Sequence, residues 1–282
     1  MRRARGPSQT GGPSTQPPGP AAHGRSFDGV TNHDERARIA GYYEHRADTG
    51  LQRRYSPFKP GHLFLQQRLE RDLLAALTRH GYASLRRRSI LDVGCGDGSF
   101  LRRCLTYGAE RRRLARVDLV AERIAAGRRT DPALDLRFGD ASALPFGDGT
   151  FDLVFQFTVL SSVLDDQMRV AIAREMARVL APDGAIVSYD FLFARDPRNT
   201  RPLTRRELGW LFPGFVMDAR RVTLFPPLSR VLAERSWIAC ELLETIPFLR
   251  GHELVVLRKP NAGKRRAEPS PPSLPAGGSR DR

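Results

Sequence analysis

The sequence predicts an α/β fold in which a doubly wound, seven-stranded, mostly parallel sheet is covered by helices on both faces. Three observations predict it. From about residue 89 onward, short apolar runs rich in strand formers alternate with longer amphipathic stretches. A glycine-rich turn, Gly94-Cys95-Gly96-Asp97-Gly98, follows the first such run. Acids end the first two strands, as Asp92 and Asp118, and a third, Asp140, stands just past the next. Continuous apolar strands with helices between them belong to a parallel sheet buried on both sides. A glycine-rich strand-to-helix turn lets such a sheet cradle a nucleotide-like cofactor at its carboxyl edge.

Two helices are expected ahead of the sheet. The first covers 35–47 and carries Ile39, Tyr42, Tyr43 and Arg46. A loop over 49–61 follows, because Pro57 and Pro60 prevent regular structure there. The second helix covers 62–79, where leucines recur near the helical period until Gly81 stops them. This pair forms an N-terminal helical cap over 35–81.

The sheet then follows in order. Strands are expected at 89–93, 114–119, 134–138, 151–157 and 185–190. Helices at 99–107, 121–129 and 166–180 separate them, with none between the third and fourth strands. Pro182-Asp183-Gly184 is the turn that launches the fifth strand. The last third is less regular: a helix at 204–211, a strand at 215–223, a break at Pro226-Pro227, one helix over 228–243 and a short final strand at 253–257.

Residues 1–34 and 261–282 are rich in Gly, Pro, Ser and Thr and poor in large apolar residues. Such segments cannot bury enough surface to offset the entropy of ordering them, so both are expected to be disordered tails. The globular part is then 35–260, one domain. The formal charge is +15; the tails contribute +2 and +3, which leaves +10 for the domain. Only Lys59, Lys259 and Lys264 are lysines. The clusters Arg86-Arg87-Arg88 and Arg111-Arg112-Arg113 carry no interleaved aromatics and read as solvated loop charge. Three separated cysteines offer neither a disulfide framework nor metal-ligand spacing. No signal-peptide pattern and no apolar run of spanning length is present, so the expectation is a cytoplasmic protein with no membrane span and no metal.

Two cofactors fit a glycine loop followed by an acid 20 residues past Gly98. That acid, Asp118, suits the paired hydroxyls of a ribose. A nicotinamide dinucleotide calls for G-x-G-x-x-G, so that the following helix meets a pyrophosphate. Here the spacing is Gly94-x-Gly96-x-Gly98, with Phe100 and Leu101 where the third glycine would stand. The second candidate, S-adenosylmethionine, has no phosphate to cradle.

The chain resembles the class I S-adenosylmethionine-dependent methyltransferases, in their small-molecule, type-11-like variety. The resemblance rests on Ile90-Leu91-Asp92-Val93-Gly94-Cys95-Gly96-Asp97-Gly98, Asp118, Gly139-Asp140-Ala141, Leu144-Pro145-Phe146, Phe151-Asp152-Leu153-Val154 and Leu180-Ala181-Pro182-Asp183-Gly184. It covers about 85–260 and implies a Rossmann-like core with S-adenosylmethionine as cofactor. By that resemblance Gly94, Cys95 and Gly96 lie against the methionine moiety, and Asp92 orients the loop and approaches its amino group. Asp118 binds the ribose and Leu119 packs on the adenine. Asp140 accepts from the adenine amino group and the Ala141 N–H donates to the ring. Gln156 and Phe157 close the methionine side.

The acceptor half is less defined. Asp190, at the carboxyl end of the fifth strand, and His45, beside the covering loop, are the candidate bases. Tyr43, Tyr55 and Phe58 are candidates for an aromatic lid over the substrate. The stretch Gln156-Phe157-Thr158-Val159 lacks the Asn/Asp-Pro-Pro-aromatic pattern of family members that methylate base amines, and no cysteine is placed to attack a cytosine ring. The expected partner is therefore a small molecule or biosynthetic scaffold rather than nucleic acid. An RNA methyltransferase and a non-catalytic cofactor-binding module are the competing readings.

Overall fold

A computed structural model describes residues 32–49, 55–133, 135–194 and 196–260. The expected tails lie outside these residues, except Asn32 to Asp34, which begin the first helix. That helix, α1, spans Asn32–Asp48, with Asp34 and Glu35 in its first turn and His45 and Arg46 in its last. Both charge sets complement the helix dipole. Helix α2 spans Pro60–Arg79 and starts earlier than expected, because a proline fits the first turn, whose N–H groups have no helical partner.

The sheet contains β1 (Ile90–Val93), β2 (Leu114–Asp118), β3 (Asp135–Phe138), β4 (Phe151–Phe157), β5 (Leu180–Phe191), β6 (Val216–Leu224) and β7 (Arg250–Arg258). Its seven strands run β3-β2-β1-β4-β5-β7-β6. The pairs from β3 to β5 are parallel, and β7 enters antiparallel between β5 and β6. Helices α3 (Ser99–Thr106), α4 (Ala121–Thr130), α5 (Asp166–Val179) and α6 (Arg205–Leu211) connect the strands. The order steps outward from β1 in both directions, so the loops after β1 and β4 diverge at the carboxyl edge. That is where an open parallel sheet holds a ligand.

Alternate strand residues face opposite sides. Leu91, Val93, Val154 and Ile186 meet Met168, Ile172 and Met176 of α5 and Leu208 and Leu211 of α6 on one face. Ile90, Leu153, Phe155 and Val187 meet Leu73 and Leu77 of α2 and Phe100, Leu101 and Cys104 of α3 on the other. Each such side chain contributes about 1.5–3 kcal/mol when fully buried. The two layers thereby fix β1 and β4 on both faces, and with them the loop between β1 and α3.

Three expectations are corrected, two of them in the last third. Pro226-Pro227 is not a break: the prolines open α7 (Pro226–Leu232) at its first turn, where no N–H is needed. The single helix over 228–243 is two, α7 and α8 (Trp237–Glu244). Ser236 sits between them with extended backbone, and its side chain accepts from the Ala239 N–H, which starts the second helix afresh. Pro182-Asp183-Gly184 lies inside β5 rather than ahead of it, and the ladder to β4 shifts register between Phe151 and Leu153.

Helix α6 begins with a capping box, Thr204 accepting from the Glu207 N–H and Glu207 from the Thr204 N–H. Glu207 also receives Arg169, which is fully buried, and Arg201. Thr204→Ala should cost about 1 kcal/mol, a fall in melting temperature of about 2–4 °C for a domain of this size. An unchanged transition in differential scanning calorimetry would mean that the box contributes nothing to stability.

Candidate active site

The loop after β1 is held from below by β2. The Gly94 and Cys95 N–H groups both donate to the Val117 carbonyl, at 2.8 and 3.2 Å. One oxygen of Asp118 accepts from the Gly96 N–H at 2.7 Å, and the other accepts from the Val120 N–H at 2.8 Å. One carboxylate therefore fixes both the glycine loop and the entry to α4. Asp118 is 5% exposed. Gly94 has φ 68°, and a Cβ there would lie 2.3 Å from Cγ2 of Val159. Only glycine meets both demands. The loop ends at Gly98, also left-handed, which caps α3 without a side-chain bond.

Asp92 is buried on β1, and its Oδ2 has no hydrogen-bond partner among the described residues. Burial pushes its carboxyl up to about 8, against the pull of Arg116. Burial also raises the thiol of Cys95 above its ordinary range, so it is not a nucleophile there. Leu119 and Ala141 pack, partly buried, against the core beside β2 and β3. One oxygen of Asp140 accepts from the Ser142 N–H at 2.8 Å; the other accepts from the Ser142 hydroxyl and from Arg36 Nε, each at 2.6 Å.

That arginine comes from α1, which lies across the carboxyl edge. Arg38 donates to the Ser162 carbonyl at 2.6 Å. Buried Glu35 accepts from the Leu164 N–H at 2.6 Å. The Tyr43 hydroxyl pairs with the Ser162 hydroxyl at 2.9 Å. The Arg123 guanidinium lies over the Tyr43 ring at 5.0 Å and 3.9 Å from Asp118. Helix α1 thus covers the space above Asp118 and Asp140.

Gln156 is fully buried. Its Oε1 accepts from the N–H groups of Val159 and Leu160 at 3.1 and 3.3 Å, and its Nε2 donates to Ser188 and, at 3.0 Å, to Asp190. The amide thus holds the turn after β4. Thr158 in that turn has φ 59°, a strained conformation for a β-branched residue. Phe157 lies between Phe100 of α3 and Tyr189 of β5, at centroid distances of 4.6 and 6.0 Å. Asp190 is buried at the end of β5, and burial pushes its carboxyl up to about 6, opposed by the Gln156 hydrogen bond.

The structure brings the cofactor candidates Asp92, Gly94, Cys95, Gly96, Asp118, Leu119, Asp140, Ala141, Gln156 and Phe157 to one edge of the sheet, with Asp190 beside them. The lid candidates divide. Tyr43 reaches the site, and Tyr55 is exposed, its hydroxyl accepting from Arg46 at 2.6 Å. Phe58 is 92% exposed and His45 is exposed on α1. Sequence reasoning missed Arg36, Arg123 and Arg116. For Arg116 the signal was present, an arginine in the middle of an otherwise apolar strand.

Comparison with known proteins agrees with this architecture. Residues 91–188 match the family model described as a methyltransferase domain. The chain is 31% identical, over 194 residues, to the malonyl-[acyl-carrier protein] O-methyltransferase of Enterobacter lignolyticus, covering 64% of this chain and 72% of that one. It is 31% identical, over 135 residues, to a probable S-adenosylmethionine-dependent methyltransferase of Mycolicibacterium smegmatis, covering 43% of this chain and 48% of the other. The match therefore spans about half the length of that relative. The fold is shared with a putative methyltransferase of Haloferax volcanii, solved in complex with the Trm112 activator, at a TM-score of 0.54 and 19% identity over 79% of this chain and 97% of that one. Motif order, sheet topology and the extent of these matches make the chain a member of the class I S-adenosylmethionine-dependent methyltransferase family.

Proposed function

We propose that the protein transfers a methyl group from S-adenosylmethionine to a hydroxyl, amine or carbon of a small-molecule or biosynthetic-scaffold acceptor. The observation that carries this reading is the double engagement of Asp118, which ties the glycine loop to β2 and leaves a buried carboxylate at the edge where a nucleoside would rest. A tight loop of left-handed glycines suits a backbone that must lie against a ligand.

The residues present suit each part of the cofactor. Gly94, Cys95 and Gly96 line the methionine end and Asp92 faces its ammonium. Asp118 accepts from the ribose hydroxyls. Asp140 and the Ala141 N–H receive the adenine, flanked by Leu119. Gln156 acts from beneath, by holding the Thr158–Leu160 turn, and Phe157 closes the wall toward the acceptor. The cofactor supplies a methyl group already activated on a sulfonium. The chain's remaining work is to hold an acceptor atom in line with that bond and to keep water out. Asp190, whose carboxyl is pushed up by burial to about 6, is the candidate base, and it is needed only where the acceptor arrives protonated.

Two observations favour a small or scaffold-borne acceptor over RNA. The arginine clusters precede β1 and β2, at the sheet edge opposite the site, and four of their six arginines are engaged by acids: Arg111 with Asp131, Arg112 and Arg113 with Glu110, and Arg88 with Asp152. The Enterobacter relative is named for a carrier-bound malonyl acceptor. Among the described residues no helix is long and apolar enough to cross a membrane. Transfer of tritiated methyl from S-adenosylmethionine into a fractionated cell extract tests the reading. Label in the small-molecule or acyl-carrier fraction is expected. Label confined to RNA would contradict it, and cofactor binding without transfer would favour the non-catalytic module.

A further inference from the structure

Arg116 makes no hydrogen bond in the site among the described residues, and its position is unusual. It stands in the middle of β2, Leu114-Ala115-Arg116-Val117-Asp118, where every residue is buried. It is fully buried, and none of its three side-chain nitrogens has a hydrogen-bond partner among the described residues. A guanidinium so placed has lost its water and gained no acceptor, which is costly unless an opposite charge lies near.

The group that can supply that charge is across the ladder. Arg116 pairs in register with Asp92 of β1, and Asp92 also carries an unpartnered buried oxygen. The guanidinium lies directly beneath the third glycine of the loop, since a Cβ on Gly98 would fall 1.5 Å from Nη1. Gly98 is therefore required for space as well as for its φ of 76°. Two buried titratable side chains with unpartnered polar atoms and the end of the glycine loop meet in one layer between β1, β2 and α3.

We infer that Arg116 is a positioning residue for cofactor binding, a fixed buried counter-charge that keeps Asp92 able to carry the negative charge the methionine ammonium requires while it supports the Gly98 turn. This inference rests on the proposed function and extends it to a residue that would touch neither cofactor nor acceptor. Asp92 faces Arg116 and Asp118 from β2, Arg103 and Cys104 from α3, Arg123 from α4 and Cys95 in the loop. Among the charges, Arg116 gives the largest offset to burial, Arg123 and Arg103 add smaller ones, and Asp118 acts in the opposite sense. Phe155, its neighbour on β4, is apolar.

The sign of the pH dependence follows. With its carboxyl near 8, Asp92 is mostly protonated in the free protein at pH 7. An ammonium ligand favours the ionised form, so binding releases a proton. Affinity should rise with pH, by up to about tenfold per unit, until it levels near the pKa of the free protein. Without Arg116 the acid ionises less readily, and the rising limb moves to higher pH.

The test is calorimetric titration of the full chain with S-adenosylmethionine from pH 6 to 9, in wild type, Arg116→Met and Arg116→Lys. The ligand's own amino group titrates alike in all three. Arg116→Met is expected to bind at least about tenfold more weakly at pH 7, with its rising limb displaced upward by about one unit. Arg116→Lys retains a point charge and should move the limb back toward wild type. Should Arg116→Met not fold, Arg116→Gln supplies the neutral arm with the same expected displacement. A folded neutral variant that binds with the wild-type affinity and pH profile would overturn the inference. A wild-type chain that does not bind S-adenosylmethionine at all would overturn the proposed function instead.

Discussion

Asp118→Ala should weaken S-adenosylmethionine binding by at least about a hundredfold and lower the melting temperature at the same time. The carboxylate accepts from the backbone N–H groups of Gly96 and Val120 in a nearly sealed environment. Hydrogen bonds to a charged group contribute about 1.5–3 kcal/mol each, and every 1.4 kcal/mol is a factor of ten in affinity. Alanine leaves two buried donors unpaired and removes the proposed ribose acceptor, so loop order and ligand contact fail together. Asp118→Asn keeps one acceptor oxygen and should fall between the two. The check is calorimetric titration paired with thermal unfolding of both variants. Wild-type affinity in a folded Asp118→Ala protein would remove Asp118 from the site.

Gly94→Ala is the second large effect. The left-handed conformation costs an L-residue roughly 1–2 kcal/mol, and forcing a methyl into packed space adds about 1–3 kcal/mol. Here the new methyl would meet Cγ2 of Val159, a β-branched side chain with few rotamers on a backbone held by the bond from its N–H to the buried amide of Gln156. The variant should unfold several degrees earlier and lose cofactor binding. The double variant Gly94→Ala/Val159→Ala should recover the steric part of the stability loss and leave the conformational part. Equal melting temperatures for the single and double variants would show that the Val159 contact is not what excludes a side chain.

The features that were legible in the sequence are the contiguous ones. Strand, glycine turn and helix lie within 89–107, and the acids after the next two strands follow at regular intervals, so chain order places them at one edge. What was not legible depends on pairing between distant segments. Arg36 reaches Asp140 across 104 positions, and the amphipathic pattern of α1 does not say which face covers the site or that His45 stays outside it. The insertion of β7 between β5 and β6 is a matter of strand order, which local propensity does not encode. Gln156 reads as a ligand contact until its amide is seen to be spent on the turn after β4 and on Ser188 and Asp190. Pro226-Pro227 reads as a break because the same residue type that interrupts a helix also starts one, and only the preceding strand settles which.

The acceptor side is the less specified half for a physical reason. The proposed cofactor contacts fall on a backbone loop and on acids whose positions the sheet dictates. Near the same edge Phe157, Tyr189, Phe191 and His252 of β4, β5 and β7 pack on one another through ring contacts. Many apolar side chains could fill such a cluster, so residue type alone does not specify an acceptor.

Calorimetry of the full chain with S-adenosylmethionine, S-adenosylhomocysteine and NAD tests the central claim most directly. Saturable one-to-one binding of both methionine-bearing ligands, with none of NAD, is the predicted result. Binding of NAD without binding of either methionine-bearing ligand would contradict it.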